Sequence, residues 1–240
     1  NIKVKYNVAV FSYDSLHRKT YDILISLYLS GIDNVLVVAA PLVKLKSVNT
    51  DKLFTPITYG EYEHPKDICK RFNYQYVVCP HDNFPKLKDI FNTHGTNIAI
   101  ISGARILRKD IISLMEYGVI NYHPGALPET SGLDSLYWML ENSVKPSVTC
   151  HFIDHKVDAG FLIKEQNVEI NNSDTIEIVA HKMYISQIVL HKYICHNIVK
   201  GNEFEVTPIL RLKKNKQMNN SQKLNALSKF VLWKDIYASN

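Results

Sequence analysis

Val35-Leu36-Val37-Val38-Ala39-Ala40 is an unbroken apolar run of strand length. A strand with one wet face alternates apolar with polar residues, so this run reads as a strand buried on both faces. Sheets of that kind are mostly parallel and carry helices on each side. The flanking sequence agrees. Residues 6–11 read as a first strand. Residues 19–30 read as a helix with Ile23, Leu24, Leu27 and Tyr28 on one side and Gly31 as its C-cap. Strand, helix, strand at this spacing predicts a parallel α/β unit. Short strands at 76–79 and 97–102, with helices at 66–72 and 84–93, continue the pattern. Residues 41–65 are irregular and read as a lid or surface loop. The expected fold class is α/β, a Rossmann-like, mostly parallel sheet with flanking helices.

The next strand carries chemistry. In Val119-Ile120-Asn121-Tyr122-His123, residues 121 and 123 are two apart, so an amide and an imidazole project from one face. Pro124-Gly125 stops the strand at once. The pair therefore stands at a strand end facing a loop, where open α/β sheets bind ligands. Spacing alone leaves a polar strand end in an ordinary turn equally open. Helices are expected at 109–117, before this strand, and at 133–142, after it. Ser147-Val148-Thr149-Cys150-His151-Phe152-Ile153 follows as another strand, with Thr149, His151 and Ile153 on one face. Asp158 lies in the loop closed by Ala159-Gly160, where an acid can be aimed at a cleft.

Taken in order, these segments resemble the folate-dependent formyltransferases. The resemblance rests on Asn121-Tyr122-His123-Pro124, Leu127-Pro128, Gly132, the run from Val148 to Asp154, and Asp158-Ala159-Gly160. It implies the formyltransferase fold and a catalytic domain over residues 1–200, with 201–240 as a short C-terminal extension packing on it. It implies transfer of a formyl group from N10-formyltetrahydrofolate, with folate as co-substrate and no metal. The family's catalytic trio matches Asn121, His123 and Asp158. Arg105, Ile106 and Leu107 resemble the segment lining the pterin pocket, with Asp154 closing over it. His151 reads equally as a neighbour of the cluster or as a core histidine.

The acceptor varies within such a family. Purine-pathway members have a Gly-rich loop after the first strand to cradle phosphate; here residues 12–18 contain no glycine. Initiator-tRNA members carry a larger C-terminal domain than the forty residues after Gly201. The chain is most similar to the amino-sugar N-formyltransferases acting on nucleotide-linked perosamine, through His123-Pro124-Gly125, Gly132-Leu133-Asp134 and the tail from Lys216 to Trp233. It has Ser131 where many relatives have Arg. The resemblance implies a nucleotide-linked amino-dideoxy sugar as acceptor, for glycan biosynthesis, with His17, Arg18, Gly132 and Asp134 as candidate substrate-binding residues. A glycinamide ribonucleotide formyltransferase, or a non-catalytic binding protein for folates or nucleotide sugars, are the competing readings.

The remaining sequence narrows the class. At 46% hydrophobic and 21% charged residues, the chain is globular rather than disordered. A net charge of +5 suits anionic ligands without demanding nucleic acid, and the basic run of Arg211, Lys213, Lys214 and Lys216 reads as solvated surface. No apolar run reaches membrane-span length and the N-terminus has no signal-peptide pattern, so a cytoplasmic protein is expected. The four cysteines have neither zinc nor redox spacing and read as buried thiols. A long helix is expected from about Asp174 to Val199, with a capping-box-like Asp174 and Glu177. Its Ile176, Val179, Met183, Leu190 and Ile194 recur as a core face, and its His181, His191 and His196 lack metal-ligand spacing. An amphipathic tail with Leu224, Leu227, Phe230 and Trp233 is compatible with a homodimer.

Overall fold

The computed structural model describes residues 2–44, 48–58, 60–154, 160–210 and 213–239. In chain order the elements are β1 (Val8–Tyr13), α1 (Arg18–Leu29), β2 (Val35–Ala40), α2 (Pro65–Phe72), β3 (Gln75–Val78), α3 (Phe84–His94), β4 (Ile98–Ile101) and α4 (Lys109–Ile112). They continue with β5 (Val119–His123), α5 (Ser135–Glu141), β6 (Ser147–Ile153), β7 (Gly160–Asn167), α6 (Ile176–Lys200), β8 (Thr207–Pro208), α7 (Asn220–Ser228) and α8 (Phe230–Tyr237). The strands form one sheet in the order β3-β2-β1-β4-β5-β6-β7-β8. Pairings are parallel from β3 to β5 and antiparallel from β5 to β8. The strand order reverses between β1 and β4, the switch point where such sheets open a crevice at their carboxyl ends.

Alternation divides the core. Val8, Val10, Val35, Val37, Ile98, Ile100, Ile120 and Tyr122 face one layer, built from α1, α2, α5 and α6. Ala9, Phe11, Leu36, Val38, Ala99 and Val119 face the other, covered by Leu87 and Phe91 of α3 and Ile111 of α4. All six residues of β2 are buried, as its composition predicts.

Several boundaries differ from the sequence reading for visible reasons. The helix expected at 109–117 stops at Ile112; tight turns from Leu114 to Ile111 and from Gly118 to Met115 replace it. The helix expected from 133 starts at Ser135, because Gly132 and Asp134 both have positive φ. Thr175, not Asp174, caps α6 by accepting from the Ile178 N–H. The Asp174 carboxylate instead accepts from Asn171 N–H and Lys182 Nζ. Strand β7 ends at Asn167 and contains an extra residue, Ile163, opposite Cys150 and His151. In the tail, Lys229 ends α7 and begins α8, which breaks the helical phase. Lys223, Ala226 and Trp233 therefore point inward while Leu224 is exposed. All four cysteines are unpaired and buried, and burial pushes the thiols of Cys69, Cys150 and Cys195 up to about 12. Among the described residues, no helix is long and apolar enough to cross a membrane.

Beneath the centre of the sheet lies a buried polar pair. The Tyr122 hydroxyl donates to His191 Nδ1 at 2.6 Å, and His191 Nε2 donates to the Ile23 carbonyl at 3.0 Å. Burial lowers the His191 pKa from the ordinary imidazole value of 6.5 to about 4. A folded-state pKa below the unfolded one means that the unfolded chain binds the proton more readily. Stability is therefore full above about pH 6.5 and falls as pH drops towards 4, by about 3 kcal/mol for this one group. His17 and His81, also lowered by burial, act in the same direction. Urea denaturation at pH 7 and pH 5 should show roughly half of this loss. His191→Phe, although less stable at pH 7, should show a flatter dependence; an unchanged slope would exclude His191 as its source.

Candidate active site

The face of β5 that carries Val119 also carries Asn121 and His123. Antiparallel β6 adds its own polar residues to that face. Asn121 pairs with His151, and His123 with Thr149. Helices α3 and α4 cover the β1–β4 part of this side, so the polar group lies beyond the apolar layer. Among the described residues the Asn121 side chain makes no hydrogen bond, so its amide donors are uncommitted within the fold. His151 is fully buried beside it.

His123 is held by the turn that follows. Its Nε2 lies 2.9 Å from the Thr130 carbonyl and 3.2 Å from both Thr130 Oγ1 and Ser135 Oγ. A carbonyl only accepts, so Nε2 carries the proton in the neutral ring and Nδ1 carries the basic lone pair. The two hydroxyl hydrogens are directed elsewhere: Thr130 Oγ1 donates to Ala126 O at 2.8 Å, and Ser135 Oγ to Thr130 O at 3.2 Å. Their oxygens therefore face Nε2–H as acceptors. The turn closes this tightly only because residue 125 is glycine. A Cβ there would lie 2.1 Å from Thr130 Oγ1. Thr149 Oγ1 pins the same residue by donating to the Gly125 carbonyl at 2.9 Å.

Across the switch point, the carboxyl ends of β1 and β4 are bridged by side chains. Thr20 Oγ1 donates to Ser102 Oγ at 2.8 Å, and Ser102 Oγ donates to the Phe11 carbonyl at 3.0 Å. His17 Nδ1 then donates to Thr20 Oγ1 at 2.9 Å. Burial, with Lys19 nearby, lowers the His17 pKa, so this ring is neutral at pH 7. The segment after β4 follows. Arg105 and Ile106 are exposed, whereas Leu107 sits in the core under α4 and presents no side chain to a ligand. Among the described residues, the main-chain groups of Arg105, Ile106 and Leu107 make no hydrogen bond, which leaves a strip of donors and acceptors beside the exposed Ile106 side chain. Asp154 is half-buried at the end of β6. Asp158 lies outside the described residues.

A cavity of about 600 Å³ opens on the other side of His123. Phe54, Tyr62, Leu136, Tyr137, Met183 and Tyr184 give it a largely apolar lining, and Arg18, Asp134 and Pro124 add polar and backbone groups. Ser135 lines it too, so a single residue separates this space from the His123 ring. The Arg18 guanidinium is set between the Tyr21 and Tyr62 rings, at 5.7 and 5.6 Å, and bonds Asp22 at 3.2 Å. His17 does not line the cavity. Gly132 pairs with Asn215, and Asp134 accepts from Met218 N–H at 2.8 Å, so both candidates also anchor the C-terminal extension. Sequence reasoning missed Ser135, Thr130 and Lys223. No spacing rule marks a residue that serves through a loop contact. Among the described residues, no group of three or more His, Cys, Asp or Glu is placed to hold a metal ion.

The chain thus combines a Rossmann-like sheet, an amide–imidazole pair at a strand end and a half-open cavity alongside. A family model described as formyl transferase matches residues 65–187, just over half of the chain. The chain belongs to the formyl transferase family. It is 28% identical over 128 residues to the methionyl-tRNA formyltransferase of Thermodesulfovibrio yellowstonii, a match covering 53% of this chain and 40% of that protein. The fold is shared with the N-formyltransferase from Helicobacter canadensis in complex with folinic acid and dTDP-3-aminofucose. That structure aligns over 98% of this chain and 84% of its own, at 14% identity and a TM-score of 0.60. The phosphoribosylglycinamide formyltransferase from Streptococcus pneumoniae TIGR4 aligns over 82% of this chain and 99% of its own, at 17% identity and a TM-score of 0.59.

The histidine geometry is directly measurable. In ¹⁵N-histidine NMR, the neutral form of His123 should carry its proton on Nε2; the opposite tautomer would refute the Thr130 hydrogen bond. Gly125→Ala should push Thr130 away, cost about 1–3 kcal/mol and loosen the tautomer preference.

Proposed function

We propose that the protein transfers a formyl group from N10-formyltetrahydrofolate to the amine of a nucleotide-linked amino-dideoxy sugar. The observation that carries this reading is the placement of Asn121 and His123 on one face at the end of β5, one residue away from a cavity of about 600 Å³. Membership of the formyl transferase family supports the reaction class. The H. canadensis neighbour, whose complex holds folinic acid and dTDP-3-aminofucose, supports the choice of donor and acceptor. The glycine-free loop after β1 weighs against a glycinamide ribonucleotide acceptor. The match to methionyl-tRNA formyltransferases favours aminoacyl-tRNA as the second reading, although it spans about two fifths of those proteins.

The donor supplies the one-carbon group. The residues present suit a flat heteroaromatic ring. The unpaired main-chain groups at Arg105, Ile106 and Leu107 can read its edge, Ile106 gives apolar contact, and Asp154 stands at the other margin. In the transfer, a bond forms between the amine nitrogen and the formyl carbon, and the bond from that carbon to N10 breaks. The proton lost by the amine ends on N10. Asn121 donates its amide N–H to the formyl oxygen as that atom gains charge. His123, with Nε2 held by Thr130, uses Nδ1 to give or take a proton. Asp158 orients this exchange and takes the amine proton in passing, before it reaches N10. Arg18 is the cation best placed to meet a diphosphate in the cavity, with His17 behind it at the start of α1. The neutral amine is itself the nucleophile, so no side-chain nucleophile is needed.

The test is a formyl-transfer assay with N10-formyltetrahydrofolate and a panel of GDP-, dTDP- and UDP-linked amino sugars, glycinamide ribonucleotide and methionyl-tRNA, read by mass spectrometry. One sugar should gain a single CO unit. His123→Ala and Asn121→Ala should each lower kcat by about a hundredfold or more. Transfer to glycinamide ribonucleotide or methionyl-tRNA alone would overturn the acceptor. Absence of transfer to every acceptor, with folate still bound, would favour a binding protein.

A further inference from the structure

Residues 48–54 form one wall of the cavity but belong to no strand or helix. Main-chain groups in such a stretch must find partners elsewhere. Lys223 Nζ donates to the Asp51 carbonyl at 2.5 Å and to the Asn49 carbonyl at 3.3 Å. The Tyr137 hydroxyl donates to the Lys52 carbonyl. The outer edge is clasped as well. Asn49 N–H donates to Gln217 Oε1 at 3.1 Å, Asn49 Nδ2 to Asn220 Oδ1 at 2.8 Å, and Asn220 Nδ2 to Asp51 Oδ2 at 3.1 Å. Apart from Tyr137, every one of these partners comes from α7 or the residues leading into it.

Lys223 is unusual in being 1% exposed. Lysine is almost never fully buried unless paired. Here it lies 3.7 Å from Asp134 Oδ1 and 5.3 Å from the centre of the Tyr137 ring, and it lines the cavity itself. For stability alone, replacing a whole buried ion pair such as Lys223–Asp134 by apolar side chains of similar volume is often neutral. What an apolar residue cannot do is hold two carbonyls of an irregular segment at fixed positions.

We propose that Lys223 is a positioning residue for the acceptor. It reaches from the C-terminal extension through the cavity floor and holds residues 49–52 as the wall against which a nucleotide-linked substrate packs. This rests on reading the cavity as the acceptor site. It makes the extension part of that site, while the Asn121–His123 face lies on the other side of Ser135.

Hydrogen exchange read by mass spectrometry tests the positioning without any substrate. In Lys223→Met, exchange should rise in peptides covering residues 48–54 and stay unchanged in β1, β4 and β5. Asn220→Ala, at an exposed position, should give a smaller rise in the same peptides and keeps the test open should Lys223→Met fail to fold. Kinetics give the second readout. The acceptor KM should rise about tenfold in Lys223→Met with kcat and the folate KM nearly unchanged, and Lys223→Arg should recover part of the loss. Unchanged exchange at 48–54 in both variants, or a rise spread evenly over the chain, would overturn the proposal. So would equal losses towards both substrates. If the wild-type protein binds none of GDP, dTDP and UDP by calorimetry while exchange at 48–54 still rises in the variants, the positioning stands and the sugar reading falls.

Discussion

The hydrogen bond from His123 Nε2 to the Thr130 carbonyl ties together parts of the chain that share no regular structure. For it to form, the chain must turn back within seven residues of leaving β5. That return needs a glycine at 125, against which Thr130 can close. It needs Thr149 of β6 to hold the Gly125 carbonyl, and Ser135 at the start of α5 to complete the ring's surroundings. The same turn then presents Gly132 and Asp134 to Asn215 and Met218. One imidazole orientation thus depends on the sheet, the turn, a helix start and the C-terminal extension together.

The sheet explains why the polar group stands where it does. Over β1, β2 and β4, both faces are covered by helices and the inward positions are apolar apart from Ser12 near the end of β1. The direction of the chain changes at β6, which pairs antiparallel with β5. Beyond that point, one face carries Asn121, His123, Thr149 and His151 instead of hydrocarbon. Burial is kept on the opposite face, where Ile120 and Tyr122 pack towards α6. Polar chemistry on one face is compatible with a stable strand because the other face retains its full apolar contact.

Much of this was legible in the sequence. The doubly buried β2, the helix after β1 and the Asn121–His123 pairing follow from periods of two and 3.6 residues, which depend only on local geometry. The part that was not legible depends on contacts between distant residues. Leu107 belongs to the segment that the resemblance assigns to the pterin pocket, but its side chain packs in the core with Ile111 of α4. Gly132 and Asp134, candidate substrate contacts from the resemblance, also have positive φ and bind the returning tail, which no local pattern marks. Lys223 sits in an amphipathic stretch whose apolar residues, by spacing alone, define the inward face. The phase break at Lys229 and the need of Asn49 and Asp51 for donors turn the lysine inward and leave Leu224 outside. Asp158 lies outside the described residues, so the third member of the expected trio rests on the resemblance alone.

The buried Tyr122–His191 pair bears on how β5 finds its place. A strand slipped by one residue would turn Tyr122 towards the cleft and force the Asn121 amide into hydrocarbon. A slip by two would restore the apolar face but leave the tyrosine hydroxyl without the imidazole 2.6 Å away. Alternation alone cannot separate the correct alignment from the two-residue error, since both satisfy it. The phenol–imidazole contact can, because it forms at only one depth along α6. A polar bond hidden beneath the sheet thereby works as an indexing key, and the spacing of reactive groups on the far face inherits its accuracy.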